Sequence, residues 1–339
     1  MRVSALVICS GGGIGDVLLA TPVMRALRER FGDVVALTAP AHRDVLANDP
    51  ELADLWVDDS SFARQAKRIA AARFDAAVVT WATARSAALP LAGGVPIRVG
   101  QARRSYSLAF THRVRVRSEF GDHTTHWTQI LLDFARAIGC DTADTTPRFV
   151  VPDGARASVA ATLRGVGVSA GGKYIVLHPT RGIAEHRERW PVTRLAELAR
   201  GLGATYDARV IVTGAPGDRA IAASVAEGGD ALSLAGRTSL AEFGALAEGA
   251  LAVVALDSGP MHIAAAVGAP TLGIFALQSD EPDRWAPLGP RVAVMRATYP
   301  CPPGHRKETC PNFACIEALE IPRVLAILDS LLARDAGIA

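Results

Sequence analysis

The sequence has few aromatic residues, 6% of its 339 positions, and only five cysteines. Neither sign of charge is in surplus: Lys plus Arg is 36 and Asp plus Glu is 34, a net of +2. No apolar run approaches the roughly 18 residues of a membrane span. Each shortage excludes something. A balanced charge with no interleaved basic and aromatic stripe argues against a nucleic-acid binder. An odd cysteine count in a chain of this size argues against a disulfide framework. The apolar opening from Arg2 to Cys9 is only about a strand long and runs into Gly11-Gly12-Gly13. It therefore lacks the longer apolar region and cleavage site of a signal peptide. A cytoplasmic protein is expected, with peripheral binding at the inner face of the cytoplasmic membrane left open.

Apolar residues are 50% of the chain. That is ample for sizeable cores, and the length suits two domains. Continuous apolar runs at Val3–Cys9, Val34–Leu37 and Ala76–Thr80 predict strands buried on both faces. A helical spacing follows from Val17 to Phe31, with Pro22 marking a kink or a restart at Thr21-Pro22, and another runs from His126 to Ile138. A second β/α series opens at Tyr174–Pro179 and continues through strands Arg209–Thr213, Ala231–Leu234, Ala250–Leu256 and Thr271–Phe275. Helices are expected at Val192–Leu202, Arg219–Ala226, Leu240–Gly249 and Pro322–Arg334. The fold class is therefore α/β, with two doubly wound domains and a cleft between them. The expected boundaries are 1–160 and 161–321, with a closing helix in 322–339 that can pack on either domain.

The segment Asp257-Ser258-Gly259-Pro260-Met261-His262 carries the most chemistry. It reads as a strand tip, a turn and a short helix, with Ser258 as cap, Pro260 in the first turn and Gly268 at the stop. Free amides at a helix start attract phosphate, and Asp257 can read sugar hydroxyls. The first β-to-α turn, Gly11-Gly12-Gly13-Ile14-Gly15-Asp16, fails as a dinucleotide fingerprint. Asp16 stands where the third glycine would be, and the second strand ends without an acidic residue. Asp16 either serves as a general base toward a hydroxyl or caps its helix.

Arg187 and Arg189, before Trp190-Pro191, can hold phosphate oxygens or lie in a solvated loop. Asp218, in the turn after Thr213-Gly214, caps the next helix or reads a base or ribose. Between Arg98 and Arg117 there are six arginines and no acidic residue. Arg113, Arg115 and Arg117 alternate and would share one face of a strand, fitting an anionic acceptor or a charge-blunted edge. Cys301, His305, Cys310 and Cys315 read either as zinc ligands at a non-standard spacing or as a proline-rich loop with half-buried thiols.

In this order the pieces resemble glycosyltransferase family 9, the lipopolysaccharide heptosyltransferases. The resemblance spans nearly the whole chain. It rests on Gly13–Pro22, on His178-Pro179 through Arg189-Trp190-Pro191, on Val212–Asp218, on Leu234–Leu240, and on Asp257–Ala266 with Pro270-Thr271. It implies a GT-B fold of two Rossmann-like domains, with the acceptor on the first and the donor on the second. It implies an inverting, metal-independent transfer of heptose from ADP-heptose to a lipopolysaccharide core or related anionic glycan, with no cofactor. Asp16 matches the family's catalytic base. Thr180, Arg187, Arg189, Thr213, Gly214, Asp257, Ser258, Gly259, Pro260 and His262 are the expected donor residues. Gly13, Gly15, Arg113, Arg115 and Arg117 are the expected acceptor residues. The chain departs from the pattern at Glu188, where the family has a phosphate-holding Lys, at Ser258 for Thr, and at Ala276–Asp280. The cysteine loop also lacks an early Cys-x-x-Cys. Glu188 supports a rival, a nucleotide-sugar-binding protein without transfer. A GT-B-fold epimerase or hydrolase of the nucleotide sugar is a second.

Overall fold

The computed structural model describes residues 4–180, 190–277, 280–302, 310 and 312–335. Two compact units divide at residue 150. The first holds six strands: β1 (Ser4–Cys9), β2 (Asp33–Thr38), β3 (Asp54–Val57), β4 (Ala76–Val79), β5 (Ile97–Gln101) and β6 (His112–Val114). All pair in parallel, in the order β3-β2-β1-β4-β5-β6. The second holds β7 (Tyr174–His178), β8 (Arg209–Val212), β9 (Leu232–Ser233), β10 (Ala252–Leu256), β11 (Thr271–Phe275) and β12 (Val292–Arg296). Its order, β12-β11-β10-β7-β8-β9, is the same winding repeated, and again every pair is parallel.

The central strands are apolar throughout because helices cover both faces. Ala5 to Ile8, Ala76 to Val79 and Ala252 to Ala255 have no exposed surface. Each Leu, Ile or Val removed from water there contributes about 1.5–3 kcal/mol. Strands β3, β5 and β12 do not stand out in the sequence, since each is only partly buried and carries polar residues. The helical run after β1 does restart, as Ile14–Leu19 and then Thr21–Phe31 with Pro22 in the first turn.

One expectation about organisation changes and another is decided. The boundary at 160 would cut through the helix Asp153–Gly165, which belongs to the second unit. Arg156 makes a two-pronged ion pair with Glu248 at 2.7 and 3.0 Å, and Ser158 donates to Glu242 at 2.6 Å. The closing helix, Ile321–Asp335, joins the second unit's core through Ile321, Val324, Leu328 and Leu331.

Candidate functional site

In a doubly wound sheet, ligands bind beyond the carboxyl ends of the strands where the winding reverses. In the first unit that place is β1 beside β4. The chain leaves β1 through Gly11-Gly12-Gly13 and enters the helix Ile14–Leu19. Gly12 has φ +75°, and a Cβ there would lie 2.7 Å from Asp16 Oδ2. A Cβ on Gly11 would lie 2.4 Å from Trp81 Cδ1. The glycines thus let a carboxylate and an indole close onto one turn from two sides.

Asp16 Oδ2 accepts the Gly13 N–H at 2.7 Å in an exposed hydrogen bond. Oδ1 is turned inward and accepts no hydrogen bond of normal geometry, although the Trp127 side chain is near enough to favour the charged form. The two sequence readings of Asp16 are therefore compatible: one oxygen caps the turn and keeps a lone pair on the open side. Burial raises the carboxyl pKa above its ordinary value, opposed first by the Gly13 N–H and then by His42 and Trp127. His42 ends the 3-10 turn that follows β2, its Nδ1 buried and unpartnered. Burial lowers its pKa, while the charge of Asp16 pulls the other way.

Trp81 follows the tip of β4 and is 41% exposed, with Trp127 edge-on at 6.3 Å between centroids. His42, Trp81 and Trp127 escape sequence reasoning. For His42 and Trp81 the available signal was a histidine or aromatic residue soon after a buried strand, in a chain with few aromatics.

The arginines divide. The strand that was to carry all three on one face ends at Val114, so only Arg113 lies in it, exposed on the edge strand. Arg115 lies over the Phe120 ring at 3.8 Å. Arg117 grips Asp133 with two bonds of 2.6 and 2.8 Å, so its charge is committed within the fold. Gly13 and Gly15 sit at the Asp16 turn.

The second unit repeats the arrangement where β7 lies beside β10. His178-Pro179-Thr180 leaves β7, and Asp257-Ser258 leaves β10 into the helix Gly259–Ala266. Ser258 stands at the cap position, but its hydroxyl donates back to Leu256 O at 2.9 Å and does not cap. Pro260 opens the helix and Gly268 closes it at φ +81°. His262 is buried one turn in.

Behind these tips runs a directed chain of hydrogen bonds. Asp218 Oδ2 accepts from Thr180 Oγ1 at 3.1 Å and from Ala215 N at 2.9 Å. Because a carboxylate only accepts, the Thr180 proton points to it. The His178 ring lies between two hydroxyls, with Nε2 at 3.4 Å from Thr180 Oγ1. Nδ1 is 3.0 Å from Thr213 Oγ1, whose proton also reaches toward Leu177 O at 3.5 Å. Burial pushes the His178 pKa down to about 4, only partly offset by Asp218, and Phe243 stands edge-on to the ring at 5.9 Å. Thr180 and Thr213, expected to touch a donor, are buried with their hydroxyls held in this network. They hold the wall behind the tips rather than offering open hydroxyls. Gly214 has no room for a side chain, since a Cβ would meet the Asp218 Cβ at 2.9 Å.

Arg187, Glu188, Arg189 and His305 lie outside the described residues. Of the cysteine loop, Cys301 and Cys310 are half-buried and Cys315 is buried, all as free thiols. Cys310 Sγ accepts the Phe313 N–H at 3.2 Å. Among the described residues, no group of three or more His, Cys, Asp or Glu is placed to hold a metal ion.

Comparison with known proteins agrees with this layout. Residues 62–313 match the family model for glycosyltransferase family 9 (heptosyltransferase). A putative glycosyltransferase of Haemophilus influenzae is 24% identical over 330 residues, covering 92% of each chain. Lipopolysaccharide heptosyltransferase 1 of Pseudomonas aeruginosa is 31% identical over 141 residues, covering 41% of this chain and 38% of its own. Among solved structures, the ADP-heptose lipopolysaccharide heptosyltransferase II of Escherichia coli superposes with a TM-score of 0.80 at 21% identity, covering 98% of this chain and 100% of its own. A family 9 glycosyl transferase of Veillonella parvula gives 0.81 at 17%, covering 98% and 99%. The fold is GT-B, and the chain belongs to glycosyltransferase family 9, the heptosyltransferase family.

Proposed function

We propose that this glycosyltransferase moves a heptose from ADP-heptose, with inversion and without a metal ion, onto a lipopolysaccharide core or a related anionic glycan. The observation that carries this reading is the Asp16 carboxylate. It is held by Gly13 N–H at the winding reversal of the first sheet, with its pKa raised by burial. A base nearer to neutrality is better matched to a hydroxyl than an ordinary aspartate.

In the reaction, Asp16 Oδ2 takes the proton of the acceptor hydroxyl as that oxygen bonds to the anomeric carbon from the face opposite the nucleotide. The bond from that carbon to the diphosphate oxygen breaks, and ADP leaves with the electron pair. In the second unit, the start of the helix Gly259–Ala266 supplies backbone N–H groups and a positive dipole end toward the diphosphate. Asp257, just past the end of β10, would meet the donor sugar. Peripheral contact with an anionic membrane surface is part of the proposal. Exposed Arg103, Arg104, Arg113 and Arg115 support it, together with exposed Leu108 and Phe120. Among the described residues, no helix is long and apolar enough to cross a membrane.

The test is calorimetric titration with ADP-heptose and with UDP- and GDP-sugars, followed by turnover with deacylated lipopolysaccharide from a heptose-deficient strain. Selective ADP-heptose binding is expected, with transfer reduced roughly 100-fold or more in Asp16→Asn. Binding without transfer to any acceptor would favour the rival that Glu188 supports, a nucleotide-sugar-binding protein. Donor breakdown without acceptor would indicate an epimerase or hydrolase.

A further inference from the structure

Trp81 is a large apolar side chain in a chain with few aromatics, and its position is not one a core requires. It stands at the carboxyl tip of β4, on the strand beside β1. One side of the indole lies against Gly11, so closely that a Cβ there would sit 2.4 Å from Cδ1. The Trp127 ring meets it edge-on at 61°. The backbone behind and the second indole hold the ring, yet 41% of the residue remains in solvent. The next glycine in the same turn packs against Asp16. Trp127, which contacts the ring, also helps hold down the Asp16 pKa. The exposed indole and the carboxylate thus share one turn and one aromatic neighbour.

We propose that the open face of Trp81 is a stacking platform for a pyranose ring of the acceptor, and that Trp81 and Trp127 set which acceptor hydroxyl reaches Asp16. This rests on the reading of Asp16 as the base. A pyranose ring carries its hydroxyls around the rim and presents a patch of C–H groups on a face. That patch is weakly positive and apolar, and the face of an indole is negative and apolar, so the two match without any hydrogen bond. Stacking leaves the rim hydroxyls free, and the hydroxyl turned toward the Gly11–Gly13 side meets Asp16. Recognition would then come from ring shape and C–H pattern, with anionic groups of the acceptor read elsewhere. The fixed ring costs little order on binding, because Gly11 and Trp127 already hold it.

The experiment compares wild type with Trp81→Phe, Trp81→Leu and Trp81→Ala. The probes are deacylated core oligosaccharide from a heptose-deficient lipopolysaccharide, and methyl α- and β-pyranosides. Binding is read by saturation-transfer NMR of the sugar C–H groups and by indole fluorescence, with ADP present. ADP affinity and thermal unfolding of each variant are measured alongside. Transfer from the C–H groups to protein is expected in wild type and Trp81→Phe, with acceptor affinity reduced about tenfold or more in Trp81→Leu and Trp81→Ala and ADP affinity unchanged. In turnover the loss should fall on acceptor KM rather than donor KM. Equal sugar binding in wild type and Trp81→Leu overturns the proposal, as does no binding of any probe by wild type. Should Trp81→Ala fail to fold, the Phe and Leu variants carry the same comparison. Sugar binding does not depend on transfer. Loss of the platform is therefore distinguished from failure of the heptosyl-transfer reading, which the donor titration and turnover report.

Discussion

Acidification should weaken the second unit through His178, and the size of the effect follows from the network. The ring is buried and its pKa falls from 6.5 to about 4. In the folded protein it stays neutral, hydrogen-bonded between Thr213 Oγ1 and Thr180 Oγ1. The unfolded chain takes up a proton near 6.5, while the folded one resists until about pH 4. The unfolded state therefore binds more protons between those values. Stability that is fully present above 6.5 is lost as pH falls through the window. At 1.36 kcal/mol per unit, the ceiling is about 3 kcal/mol, a large share of the 5–15 kcal/mol typical of a folded domain. Urea unfolding of wild type and His178→Gln from pH 7.5 to 4, with the difference between the two proteins taken at each pH, isolates this contribution. The variant should be less stable at pH 7.5 but lose about 3 kcal/mol less than wild type on acidification. NMR of the His178 ring protons should show a midpoint well below 6.5. Parallel pH dependence in the two proteins, or a midpoint at or above 6, would refute the reasoning.

Further outcomes follow from particular contacts. The raised Asp16 pKa places the acid limb of kcat/KM above the ordinary 3.8, and His42→Phe should shift it higher still, because His42 favours the carboxylate; pH–rate profiles of both proteins check this. An ionised Asp16 held in a fold that raises its pKa costs stability at neutral pH, so Asp16→Asn should melt higher than wild type while losing roughly 100-fold or more in kcat. Gly11→Ala drives a Cβ to 2.4 Å from Trp81 Cδ1 and 3.2 Å from its Cβ, so the held ring must be displaced; acceptor KM should rise and the unfolding temperature should fall. Arg117→Ala breaks the pair with Asp133 and should destabilise the protein by about 1 kcal/mol. Charge reversal of exposed Arg113 and Arg115 should instead weaken sedimentation with anionic vesicles, and equal effects on both readouts would contradict the division of roles.

Much was legible along the chain because it depends on near neighbours. Buried parallel strands announce themselves as unbroken apolar runs, as at Val3–Cys9 and Ala250–Leu256. Pro22 marked the helix restart, and Gly268 marked the end of the helix that follows Asp257-Ser258. The order of motifs pointed to the family before any contact was known. What the sequence could not decide is what the strand order brings together. Trp81 and Asp16 flank one glycine turn only because β4 lies beside β1, and His42 reaches Asp16 from the turn after β2. Nothing local to Arg113, Arg115 and Arg117 says that a helix supplies Asp133 and commits one of them. Equally, nothing local to His178 says that Thr213 and Asp218, arriving from the next strand, enclose its ring in a hydrogen-bonded network. The helix Asp153–Gly165 took its allegiance from Arg156 reaching Glu248. Local signals repeat every two to four residues, whereas parallel pairing joins segments across whole helices. The neighbours of a side chain at a strand tip are therefore set by winding order, which only the folded structure reveals.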